Sequence, residues 1–475
     1  MYPSGCCSII IQVKLTTFVF YEINRGTTRE SPNLKPKRQG TGSFQLIVGG
    51  FFVLILCGAL LLMLPIASQD RQVTPFIEAL FTSVSCTCVT GLVVQDTATH
   101  WSLFGQMIIL LLIQIGGMGV ITVALAIIRI TGRKIGLKQR SIMQESISAP
   151  QIGGILKLTG FILKTSAVIE LIGAALLSPV FIRDFGVAKG LWYALFHSVS
   201  AFCNAGFDLL GVREKFSSLT TYSDNAYFNI VIMLLIIIGG ISFMTWSDVR
   251  TYKLQIRRYS LQSKIILMIT AFLIFVPAAC FFFFEYNQEP IVKRILCSLF
   301  QSVTARTAGF NTADLAAMHE SGTALMIMLM LTGGAPGSTA GGMKVTTIAV
   351  LFLSAVAVFR RKNDVTSFNR RIPEDAVRNA GAILFIYVCL FMTTGIAISL
   401  IEGLPLLTCL FETGSAAGTA GLTLGITTSL STPSHIMLML LMFFGRMGGL
   451  TMIYAAVPSG AGESARMPLE KINVG

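Results

Sequence analysis

Four short segments of this chain align with one another, and that repetition limits the folds open to it more than any other feature. They are Phe81 to Leu92 (FTSVSCTCVTGL), Phe196 to Phe207 (FHSVSAFCNAGF), Phe300 to Phe310 (FQSVTARTAGF) and Phe411 to Leu422 (FETGSAAGTAGL). Each opens on Phe, carries Ser or Thr four residues later (Ser85, Ser200, Thr304, Ser415) and closes on Gly followed by Leu or Phe. The glycines stand at 91, 206, 309 and 421, in steps of 115, 103 and 112 residues. A long apolar span precedes each segment and another follows it, so the unit reads as span, short half-helix, Gly loop, span.

Stretches such as Leu46 to Ala67, Met107 to Ile128 and Tyr227 to Trp246 are each long enough to cross a bilayer as a helix. With 53% hydrophobic and 12% charged residues, the chain has about half the charge of a soluble domain, which excludes an ordinary soluble enzyme. The spans fall at 44–66 and 104–130, 155–181 and 227–247, 264–286 and 323–358, and 377–402 and 434–457. The expected fold is an all-α membrane protein with eight transmembrane helices and four re-entrant pore loops around one pseudo-fourfold pore. An N-terminal arm (1–43) precedes repeats at 44–132, 133–250, 251–362 and 363–475. The arm has apolar patches, a basic stretch and no small-residue cleavage site, so it reads as cytoplasmic rather than as a signal peptide.

The net charge of +13 would suggest nucleic-acid binding in a soluble chain; here the membrane explains it, and no nucleic-acid partner is expected. Basic residues cluster in the arm (Lys14, Arg25, Arg29, Lys35, Lys37, Arg38) and in three junctions between repeats. The junctions hold Arg129, Arg133, Lys134, Lys138 and Arg140; Arg250, Lys253, Arg257, Arg258 and Lys264; and Arg360, Arg361, Lys362, Arg370, Arg371 and Arg378. Excess Lys and Arg keep a loop cytoplasmic, so both termini are expected inside and all four Gly loops outside. The ten cysteines are scattered without disulfide or zinc spacing and read as small apolar thiols, Cys86 and Cys88 included.

A half-helix of about a dozen residues cannot cross the hydrocarbon; it must enter and return. Irregular backbone at membrane depth has to be enclosed by protein or line a wet cavity. Four such loops can converge on one axis, where carbonyl oxygens replace the water shell of a monovalent cation and Gly permits the backbone angles that aim them. The plainer alternative is that these glycines merely allow close helix packing.

The span 323–358 is interrupted by Gly333-Gly334-Ala335-Pro336-Gly337-Ser338-Thr339-Ala340-Gly341-Gly342. Glycine and proline both oppose helix there, and two hydroxyls demand a wet or protein-lined place. The segment reads as a gate, against a passive kink. Arg446 lies in the otherwise uncharged run Met437 to Tyr454. An intramembrane arginine is a functional candidate, as an electrostatic barrier or loop anchor rather than a purely structural pairing. Glu78, Asp96, Asp208, Asp314 and Glu412 fall on the outer side, where acids raise local cation concentration, though most read as solvated or capping residues. His100, His197, His319 and His435 have no catalytic arrangement and read as structural.

These motifs together resemble the Trk/Ktr/HKT superfamily of potassium transporters, and most closely its bacterial KtrB-type membrane subunit. The matching residues are Val89-Thr90-Gly91, Asn204-Ala205-Gly206, Thr307-Ala308-Gly309 and Thr419-Ala420-Gly421, with IQIGGMGVIT (Ile113 to Thr122), GGAPGSTAGGMKVTT (Gly333 to Thr347) and GRMGGLTM (Gly445 to Met452). The resemblance runs from about Phe44 to the end. It implies a K⁺ selectivity filter at those twelve residues, glycine in all four loops going with potassium preference and serine in the first with sodium permeation. It implies that Gly333 to Gly342 gate the pore, with Lys344 as the adjacent charge, and that Arg446 lies near the ion path. It further implies a homodimer in the bacterial plasma (inner) membrane, sodium-dependent uptake, and a cytoplasmic ring of RCK (KtrA-like) subunits binding ATP, ADP or NAD(H). The tail MPLEKINVG resembles the family's C-terminus, whose carboxylate serves the subunit interface, so Gly475 is expected there. Membrane lipids are the remaining partner, and no cofactor is expected in the chain itself.

Two other classes compete. An alternating-access transporter of a small solute also uses broken helices, but its repeats are usually inverted pairs or two parallel halves, not four parallel copies. A membrane enzyme finds no Ser/His/Asp set, metal-ligand cluster or phosphate loop.

Overall fold

The computed structural model describes residues 43–119, 122, 144, 154–449 and 451–452. The arm, the first basic junction (Arg129 to Arg140) and Gly475 lie outside the described residues. The helices run α1 (Ser43–Leu62), α2 (Phe76–Cys88), α3 (Leu103–Met118), α4 (Ile155–Phe185), α5 (Val187–Cys203), α6 (Ala226–Gly240) and α7 (Phe243–Tyr252). They continue with α8 (Leu261–Cys280), α9 (Ile291–Thr304), α10 (Glu320–Thr332), α11 (Val345–Phe359), α12 (Glu374–Glu402), α13 (Leu406–Gly418) and α14 (Thr432–Met447).

By length and composition α1, α4, α8 with its π-helical extension Phe281–Glu285, and α12 can each cross a membrane. Their outward faces carry exposed apolar side chains such as Leu60, Phe275 and Leu400, as a lipid-facing surface requires. The helices after each half-helix are shorter or broken. The expected straight span 227–247 is a pair, α6 and α7, bent by 97°. Gly239 and Gly240 end α6, and the buried Ser242 caps α7 through its hydroxyl to Met244 N. Hydropathy misses this break because Ile236 to Phe243 stays apolar across it. The expected interruption of 323–358 is present, with Gly333 to Lys344 non-helical between α10 and α11.

A small hairpin departs from the all-α expectation: β1 (Thr366–Ser367) pairs antiparallel with β2 (Arg370–Arg371). Phe368 and Asn369 both have positive φ, 48° and 58°, the requirement of a tight two-residue hairpin turn.

The half-helices α2, α5, α9 and α13 form the interior. Pro75, Pro290 and Pro405 stand just before three of them, a place where proline's missing N–H costs nothing. Three of the four long helices hold their half-helix the same way. Ser83, Ser198 and Ser302 donate to the carbonyls of Ile55, Glu170 and Ile274, each 28 residues back and each at 2.7 Å. Gly58 and Gly173 face the same serine hydroxyls, so a Cβ at either would collide with them. In the fourth copy Gly395 faces Thr413, whose hydroxyl turns back to Cys409 O instead.

Candidate functional site

Three half-helices end alike. Val89, Asn204 and Thr419 adopt the left-handed conformation at φ 57°, 59° and 50°. The next N–H then closes on a carbonyl of the last turn: Thr90 N to Ser85 O, Ala205 N to Ser200 O and Ala420 N to Ser415 O, each at 2.8 Å. A non-glycine residue there costs roughly 1–2 kcal/mol, strain of the kind found where a backbone is held for function. The third copy is one residue shorter, and Ala305 stays right-handed while Ala308 N bonds Thr304 O at 2.9 Å.

Beyond these caps the four glycines close a ring. A Cβ on Gly91 would stand 2.6 Å from Ala205 O, one on Gly206 2.6 Å from Ala308 O, and one on Gly309 2.6 Å from Ala420 O. A Cβ on Gly421 would strike Thr90 O, which returns the circuit to its start. All four have positive φ, between 69° and 97°. The twelve residues singled out in the sequence are thereby brought together, with the carbonyl preceding each glycine pressed against the previous loop's glycine.

In three of the copies the hydroxyl four residues after the Phe anchors the loop. Ser85 accepts from Gly91 N at 3.1 Å, while Ser200 and Thr304 donate to Phe207 O and Phe310 O at 2.7 Å. Ser415 has no such partner among the described residues. In three of the four copies the residue directly after the Phe braces the returning limb, which the sequence reading missed; in the first, Thr82 turns back to Glu78 O. His197 Nε2 accepts from Leu209 N at 3.3 Å, and Gln301 donates to Asn311 Oδ1 at 3.3 Å. Glu412 accepts from Leu424 N at 3.1 Å and from Thr427 Oγ1 at 2.8 Å. Glu412 is therefore no mouth acid; it is fully buried behind the fourth loop. Three chemistries at one aligned position hid the pattern from residue matching.

On one side of the ring lies a cavity of about 370 Å³ lined by the four glycines with Asp96, Asp208 and Asp314. Asp96 caps a one-turn helix through Ala98 N and Thr99 N and also accepts from Phe216 N. Asp208 accepts from Leu210 N at 2.9 Å. Burial, with a smaller contribution from the Asp96 charge, pushes its carboxyl up to about 7.

On the other side sits the segment Gly333 to Lys344. Ala335 N donates to Gly240 O at 3.1 Å and Thr339 N to Gly239 O at 3.2 Å, so the carbonyls freed by the bend of α6 receive it. Gly342 N bonds Gly445 O at 3.1 Å, and Lys344 donates to Ala340 O at 2.8 Å. Arg446 donates to the carbonyls of Thr339, Gly116 and Gly117, fastening the segment to the end of α3. Gly341 lies directly against the Thr419 side chain beneath the ring.

A second buried cation was not singled out from sequence. Arg306 is 4% exposed and its Nε and Nη1 have no partner among the described residues. A charged residue inside TARTAGF was the available signal. Cys86 and Cys88 are fully buried free thiols, whereas Cys57 and Cys389 are exposed on outer helix faces. Among the described residues no group of three or more His, Cys, Asp or Glu could hold a metal ion.

Comparison with known proteins gives one consistent answer. Residues 16–465 match the family model described as TrkH, cation transport protein. The chain is 38% identical over 452 residues to the potassium/sodium uptake protein NtpJ of Enterococcus hirae, covering 93% of this chain and 99% of that one. It is 39% identical over 417 residues to the Ktr system potassium uptake protein B of Bacillus subtilis, covering 86% and 92%. The crystal structure of the potassium transporter TrkH from Vibrio parahaemolyticus has the same fold, with a TM-score of 0.70 at 20% identity over 90% of this chain and 88% of that one.

Proposed function

The chain belongs to the TrkH cation transport family, a family of multi-pass membrane transporters and not of enzymes, and on that premise we propose that it is a potassium uptake subunit. In this reading dehydrated K⁺ crosses a selectivity filter made by Val89-Thr90-Gly91, Asn204-Ala205-Gly206, Thr307-Ala308-Gly309 and Thr419-Ala420-Gly421. The observation that carries it is the closed ring in which each glycine faces the next loop's carbonyl. Eight crossings with four re-entrant pore loops then surround one pseudo-fourfold pore, the repeats dividing at 44–132, 133–250, 251–362 and 363–475. The carbonyls of Thr90, Ala205, Ala308 and Ala420 supply the oxygens that replace the ion's water. Asp96, Asp208 and Asp314 concentrate cations in the outer cavity.

Gly333 to Gly342 act as the gate beneath the filter, held by Lys344 and Arg446. The Gly239 and Gly240 carbonyls at the α6 bend form its dock. Both termini face the cytoplasm. Similarity to a component of a Ktr system supports a partner subunit; in this reading that partner is a cytoplasmic nucleotide-binding subunit of the RCK type, and uptake is sodium-dependent. The assembly in this reading is a homodimer of two complete pores, with the C-terminal carboxylate of Gly475 at its interface. Four parallel loops around one ring favour conduction over alternating access.

The test is ⁸⁶Rb⁺ and ²²Na⁺ flux into liposomes holding the purified protein, with and without its regulatory partner. Rb⁺ flux exceeding Na⁺ flux, with that preference lost in Gly91→Ser, supports the reading. No cation flux from a folded sample even with the partner present sinks it.

A further inference from the structure

The three left-handed caps beneath the glycine ring differ in one chemical respect. Val89 has an aliphatic side chain, and the Thr419 hydroxyl has no hydrogen-bond partner among the described residues. The third copy lacks the cap, and its Thr307 turns its hydroxyl toward Asn204 instead. Asn204 alone carries an amide, which can donate and accept at once.

Both ends of that amide are engaged. Its Oδ1 accepts from Thr307 Oγ1 at 3.2 Å, and its Nδ2 donates to Thr339 Oγ1 at 3.0 Å. Thr339 stands in the middle of the Gly333 to Gly342 segment, and its hydroxyl lies 2.9 Å from Gly239 O and 3.0 Å from Phe202 O. The single hydroxyl proton goes to one of those carbonyls, and the oxygen is left to accept from Asn204. Asn204, Thr307 and Thr339 are all at most 2% exposed. One buried chain of hydrogen bonds thus runs from the third ring segment through the second to the gate segment, 135 residues away from Asn204 in sequence.

We propose that Asn204 is a positioning residue that latches the gate segment to the inner end of the filter, so that withdrawing the segment also frees the second and third filter loops. The inference rests on the reading of Gly333 to Gly342 as a gate. The physical reason for coupling is that a buried amide cannot leave its partners unreplaced without loss. When Thr339 moves away, Asn204 keeps the Thr307 hydroxyl as donor, but its Nδ2 is left with only the longer contact to Phe202 O at 3.4 Å and has to find a better acceptor. The nearest change open to it is rotation of its own side chain, which also disturbs the Thr307 hydroxyl. The α6 bend belongs to the same device, since Gly239 O accepts from the N–H of Thr339 and lies 2.9 Å from its hydroxyl.

The test is a double-mutant cycle on Rb⁺ and Na⁺ flux in liposomes, using Asn204→Val, Thr339→Val, their combination and Thr339→Ser. Valine is chosen at 204 because Val89 already holds the equivalent backbone at φ 57°. Each single variant is expected to raise Rb⁺ flux in the absence of the partner about fivefold, the effect of one buried hydrogen bond on a closed-to-open ratio. Each also lowers the Rb⁺ to Na⁺ ratio, the combination does no more than either alone, and Thr339→Ser behaves as wild type. Effects of the two valines that multiply, or a selectivity ratio untouched by both, would overturn the latch. Deleting Gly337 to Gly341 separates the two ideas. If the deletion raises flux while the valine variants do not, the gate stands and the latch falls; if the deletion leaves flux unchanged, the gate reading itself falls. Should Asn204→Val fail to fold, the contrast between Thr339→Val and Thr339→Ser decides.

Discussion

The carbonyl oxygen of Ala205 occupies the space a side chain on Gly91 would need: a Cβ there would stand 2.6 Å from it, and 3.3 Å from the Cα atoms of Gly206 and Gly421. Gly91 also has φ 97°, which an L side chain rarely adopts. Gly91→Ser therefore pushes two neighbouring loops off the ring. We expect the Rb⁺ over Na⁺ preference to fall about tenfold, the equivalent of roughly 1–2 kcal/mol of strain, measured as the ratio of isotope fluxes.

The ring was legible because its parts are spaced by covalent structure: Phe, hydroxyl and Gly recur at fixed offsets within one half-helix. The break in the span 323–358 was legible because no helix tolerates Gly333 to Gly342. The α6–α7 bend was not, since hydropathy averages over Gly239 and Gly240 and the Ser242 cap. Glu412 was placed at the wrong depth for a related reason. A carboxylate in a short half-helix looks like a mouth acid until the returning limb brings Leu424 N and Thr427 Oγ1 to it. Contacts of that kind join residues by folding alone, and the aligned position uses His, Gln and Glu to make them.

Arg446→Gln removes the charge that ties Thr339 O to Gly116 O and Gly117 O. A glutamine has one donor group in place of a five-donor fork, so the clamp between the gate segment and the end of α3 is lost. Charge-assisted hydrogen bonds contribute about 1.5–3 kcal/mol each, and the expected result is Rb⁺ flux at least tenfold higher without the partner subunit. Unchanged flux, selectivity and gating would remove Arg446 from the gate.

Glu412→Gln tests the brace behind the fourth loop. The amide has one acceptor oxygen where the carboxylate has two, so of the three donors it meets (Leu424 N–H and the Thr423 and Thr427 hydroxyls) at least one hydroxyl has to turn and accept from the new NH2 group, giving up its charge-assisted bond. The expected cost is about 1–3 kcal/mol, read as a lower unfolding temperature in detergent, with a smaller Rb⁺ over Na⁺ preference. Glu412→Leu should be worse on both counts. Wild-type stability in Glu412→Gln would mean that the loop is held from elsewhere.

Asp208 gives the pH dependence its sign. Its carboxyl is raised to about 7, chiefly by burial in the outer cavity and further by the Asp96 charge, against the opposing hydrogen bond from Leu210 N. Below that value the group is neutral; above it the group is a carboxylate facing the cavity beside the ring, which on the proposed function is where cations enter. Rb⁺ uptake is therefore expected to rise as outside pH goes from 6 to 8, with a midpoint near 7, by up to about tenfold, the low end of what a charged cleft gives. High salt should shrink the effect, because ions in the cavity screen the added charge. Asp208→Asn should hold uptake at the low-pH level across the whole range and leave the Rb⁺ over Na⁺ ratio unaltered, since the ring itself is untouched. A pH profile that survives this substitution would assign the titration to another group, and a flat wild-type profile would mean that the Asp208 charge does not govern entry.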